Sequence, residues 1–169
     1  MTPYDHKMDP FEAIAQTDVQ KIPDVKDFHP DRADEPKSVN DIVQLMLGDV
    51  WEWAGTFRTT EGNIGIQAYR VGVELAGLLR DVRYWIEHKT DEIAIRFHHR
   101  LVAIHPFPNG NGRHARLAAD LLIERLGGER FSWGGRTLAD VGELRTCYVA
   151  VLRAADNHDI APLLEFART

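Results

Sequence analysis

Between residues 105 and 116 the chain reads HPFPNGNGRHAR, and these residue types suit attack on a phosphate. His105 ends an apolar-periodic segment; with an ordinary pKa of about 6.5 it can be neutral at physiological pH and take a proton from a hydroxyl. Gly110 and Gly112, on either side of Asn111, admit backbone conformations that a Cβ resists, so successive N–H groups can converge on one concave point. A helix predicted over Asn111–Leu126, stopped by Gly127–Gly128, aims its unpaired amides and the positive end of its dipole at that point. Arg113 and Arg116, at i and i+3, share a helix face and present planar forks that match phosphate oxygens. Two arginines imply more than one phosphate. The pattern predicts a base facing a polyphosphate, and attack on a nucleotide phosphate as the reaction. Taken alone, the Gly-Asn-Gly turn is equally an ordinary link between helices, with arginines on a solvated face, and it is not the GxxxxGK(S/T) pattern of a P-loop.

The whole run resembles the signature of the Fic (Fido) family, HPFx(D/E)GNGRxxR, through His105, Pro106, Phe107, Gly110, Asn111, Gly112, Arg113 and Arg116. The resemblance implies that His105 is the general base and that Phe107 anchors the loop in the core. It further implies that Gly110, Asn111 and Gly112 wrap the α- and β-phosphates, while Arg113 and Arg116 hold the outer ones. The implied activity is transfer of AMP, or another NMP, from ATP or another NTP to a Ser, Thr or Tyr hydroxyl of a target protein. The NGR ending separates this chain from a divergent branch that ends in NKR and phosphorylates. One position departs from the signature. Asn109 stands where most active members carry Asp or Glu to hold Mg²⁺. An amide oxygen can coordinate a hard cation but brings no negative charge, so weak binding of Mg²⁺ or Mn²⁺ at Asn109 is expected. Asn109 can instead serve as a plain helix cap, for which Asn and Asp are about equally suited.

The elements that must position these groups follow from composition and periodicity. A chain of 169 residues, 44% hydrophobic and 27% charged, suits one domain with a full core. Its net charge of −6 offers no broad basic footprint, so no nucleic-acid partner is expected. No signal peptide and no apolar run of spanning length is visible, which predicts a cytoplasmic protein with no membrane partner. The single Cys147 excludes an intrachain disulfide and, on an apolar-periodic helix, is read as a core residue rather than a nucleophile. Residues Met1–Lys37, punctuated by five prolines, predict an irregular arm before a single domain at 38–169.

Ser38 can cap a helix to about Leu47. In the following GDVWEWAGTFR, Trp51 and Trp53 read as core aromatics, while WAG-x-FR also resembles the segment before the target-binding flap of Fic proteins. Thr59–Gln67 predicts a small β-hairpin turning at Glu61–Gly62–Asn63. The resemblance makes Thr60, Glu61, Gly62, Asn63, Ile64, Gly65 and Ile66 the flap, which pairs with the target backbone by strand addition. Ile64 and Ile66 can equally be plain core contacts.

Leu75, Leu78, Leu79, Val82, Trp85 and Ile86 mark an amphipathic helix over Glu74–His88. Asp91 can cap the next helix, whose core side is Ile93, Ala94, Phe97, Leu101 and Ile104, until Pro106 ends it and leaves His105 at its tip. His98, His99, His105 and His114 show no metal-ligand spacing such as HExxH. In Fic proteins the position of His98 commonly holds a buried, hydrogen-bonded support. Thr137 can cap a helix to about Ala155, and Asp159 opens a short last helix. The expected fold is mainly α, a Fic-type helical bundle with a small β-hairpin flap near the active site.

The segments GDVWEWAGTFRTTEGNIG and DVRYWIEH, taken with the motif, resemble the subgroup called mobile mystery protein B, usually encoded beside a helix-turn-helix partner. That implies a toxin-antitoxin-like arrangement with an antitoxin-like regulator in trans. The inhibitory pattern of the family, (S/T)xxxE(G/N), is absent: the one candidate, Glu61–Gly62, has Phe57 four residues earlier. Three readings remain: a nucleotidyltransferase, a nucleotide- or partner-binding module that Asn109 has left catalytically weak or inactive, and, ranked last, a metal-dependent hydrolase using His98, His99 and His105.

Overall fold

The computed structural model describes residues 54–87, 92–135 and 140–169, with Gly48 and Glu52. The arm at 1–37, the helix expected after Ser38, Trp51 and Trp53, and the caps expected at Asp91 and Thr137 lie outside the described residues. The chain divides into two compact units, Met1–Thr56 and Phe57–Thr169, and the motif belongs to the second.

That unit is helical. A 3-10 turn at Ala68–Arg70 leads into α1 (Val71–Glu87), followed by α2 (Ile93–Ile104), α3 (Asn111–Arg125), α4 (Val141–Asp156) and α5 (Ala161–Arg168). α2 packs against both α1 and α3, α4 packs against α5, and α5 reaches α2. No helix among the described residues is long and apolar enough to cross a membrane.

α1 begins one turn earlier than its periodicity predicts and buries Val71, Leu75, Leu78 and Val82. This 4-3-4 spacing gives a seam narrower than expected, which leaves Leu79 and Ile86 exposed at its margin. α2 is the central element, burying Ile93, Ala94, Ile95, Phe97, His98, Leu101 and Ile104. Burial of a side chain such as Leu101 stabilises by about 1.5–3 kcal/mol. Where α2, α3, α4 and α5 meet, the core contains Ala94, Ala119, Ala155 and Ala167, small residues that allow close helix approach, with Ile95, Phe131 and Leu163 filling the space between.

The helix stops follow the sequence closely. α2 ends as His105 turns left-handed, φ 54° and ψ 60°, with its N–H on Leu101 O at 3.1 Å. α3 ends at a glycine in the left-handed region, Gly127 at φ 81°; the N–H of Gly127 reaches Glu124 O and that of Gly128 reaches Ile123 O, both at 2.9 Å, so the last carbonyls are satisfied.

Three expectations are corrected. α4 is capped by Asp140, whose carboxylate accepts the Glu143 N–H at 2.9 Å, so the helix starts later than a cap at Thr137 implies. Cys147, expected in the core, is exposed. It sits at the margin of the Leu144–Tyr148–Val151–Ala155 stripe, and Ala155 is the only fully buried residue of α4. The hairpin expected at Thr59–Gln67 has no strand: these residues run as bends and irregular backbone. Carbonyls that a ladder would have paired are instead gathered by Arg58, as described next.

Candidate active site

His105 is positioned by the way α2 ends. Its Nδ1 lies 3.3 Å from Val102 O. A carbonyl only accepts, so Nδ1 carries the proton and Nε2 keeps its lone pair, the tautomer a general base requires. Burial holds the His105 pKa below its ordinary value; the Val102 bond opposes this and the Arg58 charge adds to it. Burial thus favours the neutral imidazole that a general base must be.

The same helix end leaves carbonyls without intrahelical donors, and Arg58 supplies them. Its buried guanidinium donates through Nε to His105 O at 2.7 Å and through Nη2 to Ile104 O at 3.4 Å. It also donates to two carbonyls of the expected flap, Thr60 O at 3.1 Å and, by a short bond, Ile66 O. The Arg58 N–H adds a bond to Pro106 O at 2.9 Å. One side chain thus fastens residues 60–66 to the tip that presents His105. The fit leaves no room at Gly65, φ 99°, where an added Cβ would stand 2.5 Å from His105 Cβ and 3.0 Å from Ile104 O. Thr60, Glu61, Gly62, Asn63 and Gly65 are exposed, Ile66 is half-buried, and Ile64 is 64% exposed, so Ile64 is no core residue.

Beyond His105 the motif loop closes on itself. Phe107 is wholly buried, packed against Phe57 and edge-on against His114, with centroids 5.8 and 4.9 Å away. Asn111 is also buried, and its side chain accepts the Phe107 N–H at 2.9 Å and donates to Phe107 O at 2.7 Å. Its amide therefore braces the loop, leaving the backbone to face an anion. The first α3 bond is His114 N to Gly110 O, 3.0 Å, so the N–H groups of Asn111, Gly112 and Arg113 have no acceptor within the helix. Gly110 is the N-cap at φ 76°, without a side-chain cap bond. Asn109 thus does not cap α3; its Oδ1 takes the neighbouring Gly110 N–H at 2.6 Å.

The two motif arginines differ. Arg113 is half-buried and its Nη2 is sealed from solvent with no hydrogen-bond partner; burial and then the charge of Arg116 push its pKa down. An unsatisfied buried donor costs about 1–3 kcal/mol, which an anion at that nitrogen would offset. Arg116 lies over the Tyr148 ring, its Cζ 5.1 Å from the centroid.

The four histidines face different surroundings. His98 is fully buried, with Nε2 2.9 Å from the Tyr148 hydroxyl and its ring 4.6 Å from that of Trp133. Burial, then the charges of Arg116 and His99, lower its pKa to about 3. His99 pairs with Asp156 at 2.8 Å, while His114 is buried against Phe107. Among the described residues no group of three or more His, Cys, Asp or Glu side chains could hold a metal ion. The side-chain oxygen at position 109 is that of a neutral amide already engaged with Gly110.

Residues 34–123 match the Fic/DOC family, just over half of the 169 residues. The chain belongs to the Fic/DOC family. It is 30% identical over 140 residues to protein adenylyltransferase fic-1 of Caenorhabditis elegans, covering 76% of this chain and 26% of that protein. It is 29% identical over 139 residues to protein adenylyltransferase Fic of Drosophila virilis, covering 76% and 27%. The chain thus spans about a quarter of these curated relatives. Among solved structures, a variant of a Caenorhabditis elegans Fic-1 fragment superposes with a TM-score of 0.63 at 30% identity, over 80% of this chain and 40% of that one. A Fic-domain protein from Bacteroides thetaiotaomicron shares the fold, with a TM-score of 0.60 at 18% identity over 76% and 55%. The helical reading and the Fic resemblance both hold.

Two residues of this Fic site escaped the sequence reading. Arg58 ends the WAG-x-FR segment, whose likeness to the family was the available signal, although no local pattern tells that its partners lie almost 50 residues away. Tyr148 lies on the apolar stripe of α4, where its type suggests only packing, and its contact with Arg116 joins residues 32 positions apart.

Proposed function

We propose that this chain transfers a nucleoside monophosphate, AMP in the first instance, from an NTP to a Ser, Thr or Tyr hydroxyl of a target protein. The observation that carries this reading is the bare Nε2 of His105, fixed by its Nδ1–Val102 bond on a loop that leads directly into free α3 amides and the partnerless Nη2 of Arg113. Relatives named protein adenylyltransferase support the substrate class.

In this reading the target hydroxyl loses its proton to His105 Nε2 as its oxygen attacks the α-phosphorus. A new P–O bond forms, the bond to the bridging oxygen breaks, and pyrophosphate departs. The amides of Asn111, Gly112 and Arg113, with the turn set by Gly110, hold the inner phosphates, while Arg113 and Arg116 hold the outer ones. Mg²⁺ or Mn²⁺ would arrive chiefly on the nucleotide phosphates and neutralise their charge, with Asn109 as a weak oxygen ligand. The exposed backbone of residues 60–66 receives the target strand beside His105, becoming a hairpin only when paired.

The domain is 38–169, the chain acts in the cytoplasm, and an antitoxin-like regulator in trans restrains it, as its likeness to the mobile mystery protein B subgroup implies. A second reading, a catalytically weak nucleotide-binding module, is favoured by one observation: Asn109 is neutral and already bonded to Gly110. Incubating the chain and a cell lysate with each NTP, labelled in turn at the α- and γ-phosphate, with and without Mg²⁺ or Mn²⁺, decides between them. Transfer of α-label that requires His105 supports the first; nucleotide binding without transfer supports the second.

A further inference from the structure

Tyr148 belongs to α4, outside the motif, yet its phenol stands where three elements meet. Its hydroxyl lies 2.9 Å from Nε2 of His98 on α2, close to the Arg116 guanidinium on α3, whose charge favours the ionised phenol against its burial. The hydroxyl also lies against the motif turn, where a Cβ added at Gly112 would touch it at 3.6 Å. Beneath the same guanidinium is the Tyr148 ring, 5.1 Å from Arg116 Cζ to centroid. Arg116 is therefore held from its face, whereas Arg113 has a buried nitrogen with no partner.

The phenol is itself held. His98 cannot swing away, because it is fully buried and stacked on Trp133. Trp133 in turn donates its indole N–H to the buried carboxylate of Asp120, at 3.0 and 3.2 Å. The N–H groups of Ser132 and Trp133 bond to Ala167 O at 2.8 and 3.1 Å, fixing that loop to α5. A line of support thus runs from Asp120 through Trp133, His98 and Tyr148 to Arg116.

An arginine side chain has several rotatable bonds, and ordering it when ligand binds opposes binding; a side chain already ordered avoids that cost. We infer that Tyr148 is the positioning residue for Arg116: its ring, fixed by the bond of its hydroxyl to His98, sets the guanidinium so that its donor edges are presented to the outer phosphates of a nucleotide. The inference rests on the proposed reading of Arg116 as a phosphate ligand. Tyr148 acts through Arg116 and has no contact of its own with the reacting atoms.

The test is a double-mutant cycle on the 169-residue chain, with ATP, ADP and AMP affinities measured by calorimetry. Tyr148→Phe keeps the ring and removes only the hydroxyl. Its expected effect is a roughly 3–10-fold weaker ATP affinity, the range for one lost hydrogen bond, with AMP changed less than about 2-fold. In an Arg116→Ala background the same substitution should add nothing. If Arg116→Ala weakens ATP and Tyr148→Phe does not, the positioning role is wrong and the phosphate reading stands. Equal losses for ATP and AMP, or a loss that persists without Arg116, make Tyr148 a structural residue and overturn the inference. ATP bound equally well by wild type and Arg116→Ala, or by neither, removes the phosphate reading and the inference with it. Should Tyr148→Phe not fold, the wild-type protein labelled with ¹⁵N-arginine answers the question. A slowly exchanging, ring-current-shifted Arg116 Nε–H supports the inference, and exchange as fast as that of the exposed Arg80 overturns it.

Discussion

The two segments flanking His105 are held in opposite ways. The motif loop is closed from within: Phe107 is wholly buried and Asn111 occupies both of its backbone groups. Residues 60–66 are gathered from outside by Arg58, and most of their surface stays exposed. Local stability follows buried contacts and protected hydrogen bonds, so the phosphate side of the site should share the stability of the core, while the target side should open at lower cost. In the proposed reading that division suits a transferase, which takes one nucleotide but must admit a protein strand.

The largest effect is expected at the residue both segments share. His105→Ala should reduce transfer by about 10²–10⁴-fold, leaving ATP affinity and thermal midpoint near wild type. Undiminished transfer would require another base.

Next comes the loop. Asn111→Ala leaves the buried N–H and C=O of Phe107 unpaired, and at about 1–3 kcal/mol for each orphaned group the loss should be about 2–6 kcal/mol in denaturant unfolding. A loss below about 1 kcal/mol would mean that the loop is not closed from within.

The core beneath the loop gives a pH test. Native His98 titrates near 3 against an ordinary 6.5, so between those values the unfolded chain holds a proton that the native state refuses, and acidification costs stability. Asp120 runs the other way: burial raises its carboxyl from 3.8 to about 6, so the native state holds the extra proton and gains stability as pH falls through that window. The two oppose each other between pH 6 and 3.8. Asp120→Asn should therefore expose a decline of up to about 1.4 kcal/mol per pH unit there, read from urea midpoints. A midpoint as flat as wild type would show that His98 is not held neutral.

On the flap side, Arg58→Gln should speed amide exchange at 60–66 without changing it in α3. It should also move the acidic limb of kcat/KM upward, because the Arg58 charge helps to hold the His105 pKa below its ordinary value. Exchange that quickens equally in both segments would erase the contrast between them. The smallest effect is expected at Asn109→Asp, which keeps an acceptor for the Gly110 N–H and adds a charge. It should lower the Mg²⁺ concentration for half-maximal transfer; superimposable titrations would count against a ligand role.

Local signals in the sequence were enough to place much of this. Glycines at 110 and 127, the proline after His105 and the apolar seams of α1 and α2 each act over a few residues, so they could be read before any fold was known. What escaped depends on distance along the chain. Arg58 looks like a surface arginine until the end of α2 is brought to it, and Asp120 looks misplaced among apolar neighbours until Phe131 and Trp133 donate to it. The hairpin failed for a related reason: turn residues and isoleucines suggest strands, but a strand needs a partner, and a guanidinium took the carbonyls instead.

The left-handed backbone of His105 sets stability and activity against each other. A residue with a Cβ at φ 54° is strained by about 1–2 kcal/mol relative to glycine, and asparagine tolerates that conformation better than most. A library of this chain screened only for survival at high temperature would therefore enrich Gly or Asn at position 105, yielding tougher proteins that no longer possess the base.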